Sequence, residues 1–461
     1  MAGGERSRLR ELFAGARGRL LGALLLAEFA ASVTGLSYSA VLPVAAAELS
    51  GLEFYGAAVT ATGIVGIAFL GFGAYLYGRI GAQAQLLIST IVLIAGVVMS
   101  AIASTMWVLV VGLALRGVAA GLMGGLGMGV ISEVYPDAKQ RERVFGLYAI
   151  MWIAPALVGP AINGLLLVAW GWRATMVWPA VLVLIARGLM AGSLRAVGWQ
   201  RPAIAPKVRA PWAFVAIAAG LAAAQVCVAS TTGWGVAAGL VLLIVVLLVP
   251  FRRALILTVP GERRAQAGSW VLALVCGSYF GINAIVPLLS AEFVDASGVV
   301  GTVLVSLGPL TWGVISATGW GARVSERGAY RLAALVFPVA AALVAVGAML
   351  RDGVGHAVGL GIVTVLIGAA MGIVYPKVMA LTFKGFRAED GTNRAHGGVV
   401  LGLGEDVGTA VGVTVLAGIG ALIISSGPVD VTVLAAVFAV LLVIGWGVSS
   451  RSTLWESPAA S

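Results

Sequence analysis

Four ionisable side chains lie inside long apolar segments of the sequence, namely Glu28, Arg116, Glu405 and Asp406. A charged side chain that faces lipid destabilises an inserted helix by about 2.5 to 3.5 kcal/mol, so such groups normally face the protein interior. A carboxyl group buried among apolar helices can bind and release a proton near neutral pH. We therefore predict that these residues form a reversible proton-binding site.

Glu28 begins a small and polar stripe on a predicted helix, because Ser32, Gly35 and Ser39 follow it at offsets of four, seven and eleven. This stripe should face other protein or line a cavity. Two interpretations of Glu28 are open. The first is that it exchanges a proton, and the second is that a permanent salt bridge holds it, for which Arg116 is the obvious partner. The two interpretations are compatible with each other.

Glu405 and Asp406 are adjacent, so on a helix of about 3.6 residues per turn they point roughly 100° apart. They cannot both point into one cavity. Thr409 and Gly412 extend the face of Glu405 and are small. We therefore predict that Glu405 faces the cavity and that Asp406 contacts another helix or lies at a boundary.

Several aromatic residues lie deep in apolar segments, away from the span ends where aromatic side chains anchor a protein at the membrane surface. Such rings can stack on a hydrophobic or cationic compound, although ordinary core packing is the alternative for any one of them. The candidates for lining a substrate cavity, beside Ser32 and Ser39, are Trp152, Tyr279, Phe280, Trp312 and Tyr375.

The chain that must position these residues has 461 residues, of which 60% are hydrophobic and 10% are charged. This composition predicts an all-α polytopic membrane protein. Apolar runs predict fourteen transmembrane helices, or twelve if the seventh and the short eighth form a re-entrant pair. The predicted spans are 20–47, 55–77, 84–104, 106–132, 144–168, 174–194, 211–230, 235–250, 268–290, 298–321, 329–350, 355–382, 397–424 and 429–448.

The net charge of +10 comes from clusters of Lys and Arg in alternate loops. In the remaining loops, the only basic residues are Arg173 and Arg351. Lys and Arg collect on the cytoplasmic side of membrane proteins, so the pattern predicts an even number of spans and two cytoplasmic termini. Binding of nucleic acid is the weaker interpretation. Cys227 and Cys276 lie in apolar runs and are interpreted as packing residues.

Neither the histidines, His356 and His396, nor any other residues show metal-ligand spacing, and no nucleotide-binding or hydrolase motif is present. The segments between the spans are too short for a nucleotide-binding domain. We therefore predict a protein that is not an enzyme and has no cofactor and no metal. Any work it does must draw on ion or substrate gradients.

Two similar halves are indicated, since a basic loop follows both the second and the tenth span. We predict a six-helix bundle at 1–199, a linker with two extra helices at 200–265 and a second six-helix bundle at 266–461. Related halves around a central site are typical of secondary transporters.

The segment Gly159-Pro160-Ala161-Ile162-Asn163-Gly164, followed by Gly171-Trp172-Arg173, resembles the antiporter motif of the major facilitator superfamily, with Asn163 in place of a glycine. Arg116 matches the arginine of the fourth span that this family uses in proton transfer. The resemblance is to the fourteen-span drug:proton antiporter branch and covers nearly the whole chain. It implies export coupled to protons.

The family's loop motif after the second span is degenerate here, because it keeps Arg79 but lacks the acid that latches the two halves. The second copy keeps an acid and a base as Glu326 and Arg327. These three residues are the candidates for a gating loop.

Together these features predict a monomeric transporter of the cell membrane that exports lipophilic or cationic small molecules in exchange for protons. One alternative is an exporter of a native lipid or secondary metabolite. The alternative from another class is a membrane scaffold or sensor that does not transport.

Overall fold

The computed structural model of the chain describes residues 12–426, except 136–137, 197–210, 230–232, 295–298, 319, 326–327, 330, 333–334, 337–338, 341–342, 344–352 and 385–390. The described residues form helices and contain no β-strand, which confirms the predicted helical class. The fourteenth predicted span and the gating residues Glu326 and Arg327 lie outside this part of the chain. The eleventh predicted span is described only at scattered positions.

The first four helices are α1 (Gly15–Glu48), α2 (Tyr55–Ala101), α3 (Met106–Val134) and α4 (Ala138–Ala196). Helices α2 and α4 are each interrupted at one glycine, Gly81 and Gly171, whose φ angles are 80° and 75°. Other residue types adopt this conformation with strain, so glycine permits the chain to reverse there within one residue. Each of these two helices therefore contains two predicted spans, the second and third in α2 and the fifth and sixth in α4.

The remaining helices lie between Pro211 and Ser426. They are α5 (Pro211–Ala229), α6 (Gly233–Val246), α7 (Arg252–Thr258), α8 (Arg263–Phe293), α9 (Val299–Ala317), α10 (Gly353–Lys384) and α11 (Gly391–Ser426). Short 3₁₀ turns lie at Leu52–Phe54 and Trp320–Arg323.

The eighth predicted span is longer than the sequence suggested. A π-helical turn at Leu247–Phe251 contains Pro250 and joins α6 to α7, so the apolar helix extends from Trp234 to Thr258 over 25 residues. The prediction of a short span that ends at residue 250 was wrong, because the wider turn accommodates the proline without ending the helix. Helix α5, with an apolar stretch at Trp212–Val228, is shorter.

Within the described residues, nine helical segments are long and apolar enough to cross a membrane. The chain is therefore a multi-pass membrane protein. The number fourteen stays a prediction.

The helices pair in a repeated pattern. Helix α1 packs along α4 and α2 along α3, while α8 packs along α11 and α9 along α10. In terms of the predicted spans, the first pairs with the fifth and the second with the fourth, and the same pairing recurs eight spans later. Helices α2 and α11, and α4 and α9, then contact each other across the two sets. Two related halves are expected to pack in this way, and the domain boundaries at 199 and 265 stay predictions.

Glycines permit the close approach of α8 and α11. A Cβ added to Gly277 would lie 2.6 Å from the carbonyl oxygen of Gly408, and one added to Gly281 would lie 2.7 Å from that of Gly412. A Cβ on Gly412 would in turn overlap the Gly277 carbonyl. Small residues at helix contacts allow such backbone proximity in membranes. The α8–α11 pair is therefore a tightly fitted element that holds Glu405 and Asp406 in place.

Helices α5 to α7 lie against the contact between α2 and α11. Ile67 of α2, Leu221 of α5 and Leu403 of α11 belong to one buried apolar cluster. Phe251 of the π-helical turn packs edge-on against Trp270 of α8, with ring centroids 4.8 Å apart. Helices α5 to α7 therefore bridge the two sets of helices.

Candidate functional site

Glu405 of α11 lies at the end of a row of aromatic side chains. The Tyr375 hydroxyl of α10 donates a hydrogen bond of 3.0 Å to Glu405 Oε2. The Tyr375 ring is 5.1 Å from Trp312 of α9, which is 5.4 Å from Tyr279 of α8, and Tyr279 is 5.0 Å from Phe280. Four residues predicted to line a cavity are thus brought together with one predicted proton-binding acid. We call Phe280, Tyr279, Trp312 and Tyr375 the aromatic row.

The members of the aromatic row differ in burial. Tyr279 is fully buried, whereas Phe280, Trp312 and Tyr375 are partly exposed, as is Glu405. The Tyr279 hydroxyl lies beside Gly308, where an added Cβ would be 3.1 Å away. Tyr279 therefore supports the row from behind, and the partly exposed rings have faces that a bound compound could contact.

Glu28 of α1 belongs to the same region. Its carboxylate interacts electrostatically with both Glu405 and Tyr375, and Asp406 adds a further negative charge next to Glu405. Carboxylates that share a site repel each other, so a proton on one of them stabilises the group. Acids that are more than 370 residues apart in the sequence, Glu28 and Glu405, thus lie near each other. The sequence could not predict this proximity.

The polar stripe that begins at Glu28 contacts protein at its next member. Ser32 is buried, and its hydroxyl lies 2.8 Å from the Met151 carbonyl oxygen of α4 and 2.8 Å from that of Phe29. Ser32 therefore joins α1 to α4. The side chains of Ser39 and Trp152 lie outside the described part of the structure.

Arg116 is buried in α3 and connects three helical segments. Its Nη2 donates a hydrogen bond of 3.3 Å to the Met176 carbonyl oxygen of α4, and its side chain packs against Gly96 of α2. A buried guanidinium needs acceptors of this kind. Pairing of Arg116 with Glu28 stays a prediction.

The segment that resembles the antiporter motif lies in the first arm of α4. Gly159 and Asn163 are buried, Gly164 is half-buried, and the helix continues through Pro160. The Asn163 Oδ1 accepts a hydrogen bond of 2.9 Å from Trp178 Nε1, in the second arm of α4 beyond the break at Gly171. The asparagine that departs from the family motif therefore ties the two arms of α4 together.

The inventory of four ionisable residues within the spans was incomplete. Arg187, in the sixth predicted span, is buried, and its Nη1 donates hydrogen bonds to Ser89 Oγ at 3.1 Å and Thr90 Oγ1 at 3.2 Å. Lys377 lies in the twelfth predicted span, near the end of the apolar part of α10. Both were visible in the sequence. The two hydroxyl groups that solvate Arg187 lie in another helix, about 100 residues earlier, and were not.

A polar cluster at the end of α1 was also missed. Glu48 Oε1 accepts a hydrogen bond of 2.6 Å from Arg173, and Oε2 accepts one of 2.9 Å from Trp172 Nε1. Arg173 also donates to the Ala103 carbonyl oxygen at 2.9 Å and lies over the Trp172 ring. The Trp-Arg pair of the predicted motif therefore fastens the end of α1 and the turn between α2 and α3 to α4.

We expect this cluster to give a small pH-dependent contribution to stability. The Arg173 hydrogen bond holds the pKa of Glu48 below its usual value of 4.5. A lowered pKa means that the stabilisation is present above the unfolded pKa and is lost as pH falls through the folded value. Because the pair is partly exposed, the effect should be below about 1 kcal/mol.

The measurement is the unfolding temperature of the detergent-purified protein and of Glu48→Gln between pH 7 and pH 3. The wild type should be the more stable at pH 7, and the difference should shrink below about pH 4.5. A difference that stays constant over this range would show that the Glu48 charge does not contribute.

The candidate gating loop is only partly described. Arg79 is exposed, and its guanidinium lies over the Tyr75 ring at 4.8 Å from the centroid. The acid and base of the second copy lie outside the described residues. Gating by this loop stays a prediction.

Comparison with known proteins agrees with this architecture. The family model described as "Major Facilitator Superfamily" matches residues 24–413. A "probable multidrug-efflux transporter" of Mycobacterium tuberculosis is 32% identical over 153 residues, which are 33% of this chain and 31% of that protein. The multidrug resistance protein Stp of the same organism is 28% identical over 100 residues, or 22% of this chain and 18% of that one. The matches thus span less than a third of these relatives.

Solved structures with the same fold include a peptide transporter, POT, in complex with sulfate. It has a TM-score of 0.65 and 16% identity, and the alignment covers 96% of each chain. A POT family transporter in complex with 5-aminolevulinic acid has a TM-score of 0.64 and 16% identity, with coverage of 96% of this chain and 98% of that one.

Proposed function

This chain belongs to the major facilitator superfamily of transporters, and on that premise we propose that it exports lipophilic or cationic small molecules in exchange for protons. The observation that carries the proposal is the aromatic row ending at Glu405, with Glu28 acting on the same acid from α1. Aromatic faces attract cations and apolar rings, and a carboxylate supplies the matching negative charge.

The proposed cycle makes the substrate and the proton compete for the same group. When Glu405 is ionised, its carboxylate and the aromatic row attract a cationic or lipophilic compound. When a proton neutralises Glu405, that attraction is lost and the compound is released. Because a ligand shifts a conformational equilibrium only through its differential affinity, proton and substrate must favour opposite openings of the site.

We further propose the remaining features of this transporter on the same basis. It has fourteen spans, with α5 to α7 as the hairpin inserted between two six-helix bundles. Both termini lie on the cytoplasmic side of the cell membrane, as the Lys and Arg distribution predicts, and the working unit is a monomer. The partial similarity to multidrug-efflux proteins supports export over uptake.

The proposal is tested in proteoliposomes with an imposed pH gradient. Dyes, antibiotics and lipids are screened for transport that depends on the gradient and for proton movement driven by the compound alone. We expect transport of a lipophilic cation. This transport should stop when an ionophore dissipates the pH gradient. Binding of compounds without any gradient-dependent movement would contradict the proposal and favour a sensor.

Tyr375→Phe tests the hydrogen bond to Glu405. The variant keeps the ring against Trp312 but removes the hydroxyl that donates to Oε2. A hydrogen bond to a charged group contributes about 1.5 to 3 kcal/mol, so we expect roughly a tenfold or greater loss in the rate of coupled transport. Binding of an aromatic substrate should change much less. Equal losses in binding and transport would show that Tyr375 acts only through packing.

A further inference from the structure

The helix formed by α6 and the π-helical turn that follows it has one face that is exposed along its whole length. Its apolar positions recur at helical spacing through Val241, Ile244, Val245, Leu248 and Val249. The exposed fractions of Leu248 and Val249 are 59% and 60%. Since α6 belongs to a segment long and apolar enough to cross a membrane, this face is available to lipid acyl chains.

The same face changes chemistry beyond the π-helical turn. Arg252 and Arg253 are both exposed and continue the stripe, and Ile256 follows them. The opposite face of α7 is fixed to the protein, because Phe251, Ala254 and Leu255 are almost completely buried. The two guanidinium groups therefore cannot be turned inward without unpacking the helix.

The length of the stripe places the two arginines at the membrane surface. Trp234, at the other end of the stripe, is exposed and precedes Arg252 by 18 residues, which is about 27 Å along a helix. The hydrocarbon layer is about 30 Å thick. An exposed tryptophan at one interface and arginines at the other thus match the two boundaries of a bilayer.

Among the described residues, neither Arg252 nor Arg253 forms an ion pair with an acid. The segment 197–210, which precedes the inserted helices, contains basic residues and no acid. A pair of cations at the membrane surface, with an exposed apolar stripe leading away from it, matches a headgroup phosphate with its acyl chains.

We propose that this stripe binds an anionic phospholipid from the leaflet on the side of the Lys- and Arg-rich loops. The acyl chains lie along Val241 to Val249, and the headgroup phosphate lies against Arg252 and Arg253. The lipid fixes the inserted helices at one height in the bilayer while they bridge α2, α8 and α11. This site is separate from the aromatic row and does not depend on the proposed export.

The test uses the full chain in nanodiscs of mixed phosphatidylcholine and phosphatidylglycerol, from which it is gently released for native mass spectrometry. The wild type should retain phosphatidylglycerol in preference to phosphatidylcholine. Each surface Lys or Arg strengthens binding to anionic lipid several-fold, so Arg252→Gln with Arg253→Gln should reduce this retention by roughly tenfold. The matched control is Arg323→Gln, an exposed arginine beyond α9, which should retain the lipid.

Three outcomes would overturn the proposal. They are unchanged retention in the double variant, equal retention of phosphatidylcholine by the wild type, and displacement of the lipid by inorganic phosphate, which would assign the site to a free anion. If the double variant does not fold, the wild type alone decides. Its retention of phosphatidylglycerol must fall as ionic strength rises, and retention that is insensitive to salt would contradict a site built on two arginines.

Discussion

Glu405→Gln should abolish the proton movement that substrate drives through reconstituted protein. Glutamine has nearly the same shape and can still accept the hydrogen bond from Tyr375, so the aromatic row should stay in place. What it cannot do is exchange a proton. We expect proton flux at the level of protein-free liposomes, measured with a pH-sensitive dye inside the vesicles after addition of substrate.

Asp406→Asn is the matched control, because this residue is adjacent but points about 100° away on the helix. It should keep substantial coupled flux. Glu28→Gln is the decisive companion, since Glu28 acts on Glu405 from α1. If Glu405→Gln retains wild-type flux while Glu28→Gln loses it, the proton resides on Glu28 and the assignment to Glu405 is wrong.

The largest expected effect on folding is that of Gly412→Val in α11. A Cβ at this position would overlap the backbone carbonyl of Gly277, which no rotamer change can relieve. Overpacking of a fitted interior destabilises by about 1 to 3 kcal/mol, and the backbone contact places this variant at or above the upper value. We expect a lower unfolding temperature and loss of the monodisperse peak in size-exclusion chromatography.

Gly402→Ala provides the control on the same helix. An added Cβ at Gly402 meets nothing within 4 Å, so the variant should be as stable as the wild type or slightly more stable. If both variants were equally stable, the close α8–α11 contact would not be a determinant of the fold.

The helices themselves were predictable, because long apolar runs leave the backbone no alternative in a membrane. The first predicted span, 20–47, lies within α1 at Gly15–Glu48, and the ninth, 268–290, lies within α8 at Arg263–Phe293. The eighth was predicted too short because Pro250 was taken as its end. A π-helical turn is rare, and the hydropathy of the sequence does not indicate where one continues a helix past a proline.

Side-chain partners between distant helices were the part that sequence reasoning could not reach. Glu405 could be placed on a cavity-facing stripe, but its hydrogen bond to Tyr375 depends on the rotation of α10 against α11. Glu48 was not selected, because a residue at the end of a span is normally solvated, and Arg173 lies 125 residues away. Hydropathy fixes where a helix lies and says little about which neighbours it meets.

The single-residue reversals at Gly81 and Gly171 have a practical consequence for engineering this protein. A protease needs several extended residues to cut, and an epitope tag or fused domain needs a linker at each end. Neither reversal provides such a segment, so cleavage and fusion sites placed there should fail. The turn at Val259–Glu262, between α7 and α8, is longer and partly exposed. It is the better position for a cleavable tag or a fiducial domain for imaging.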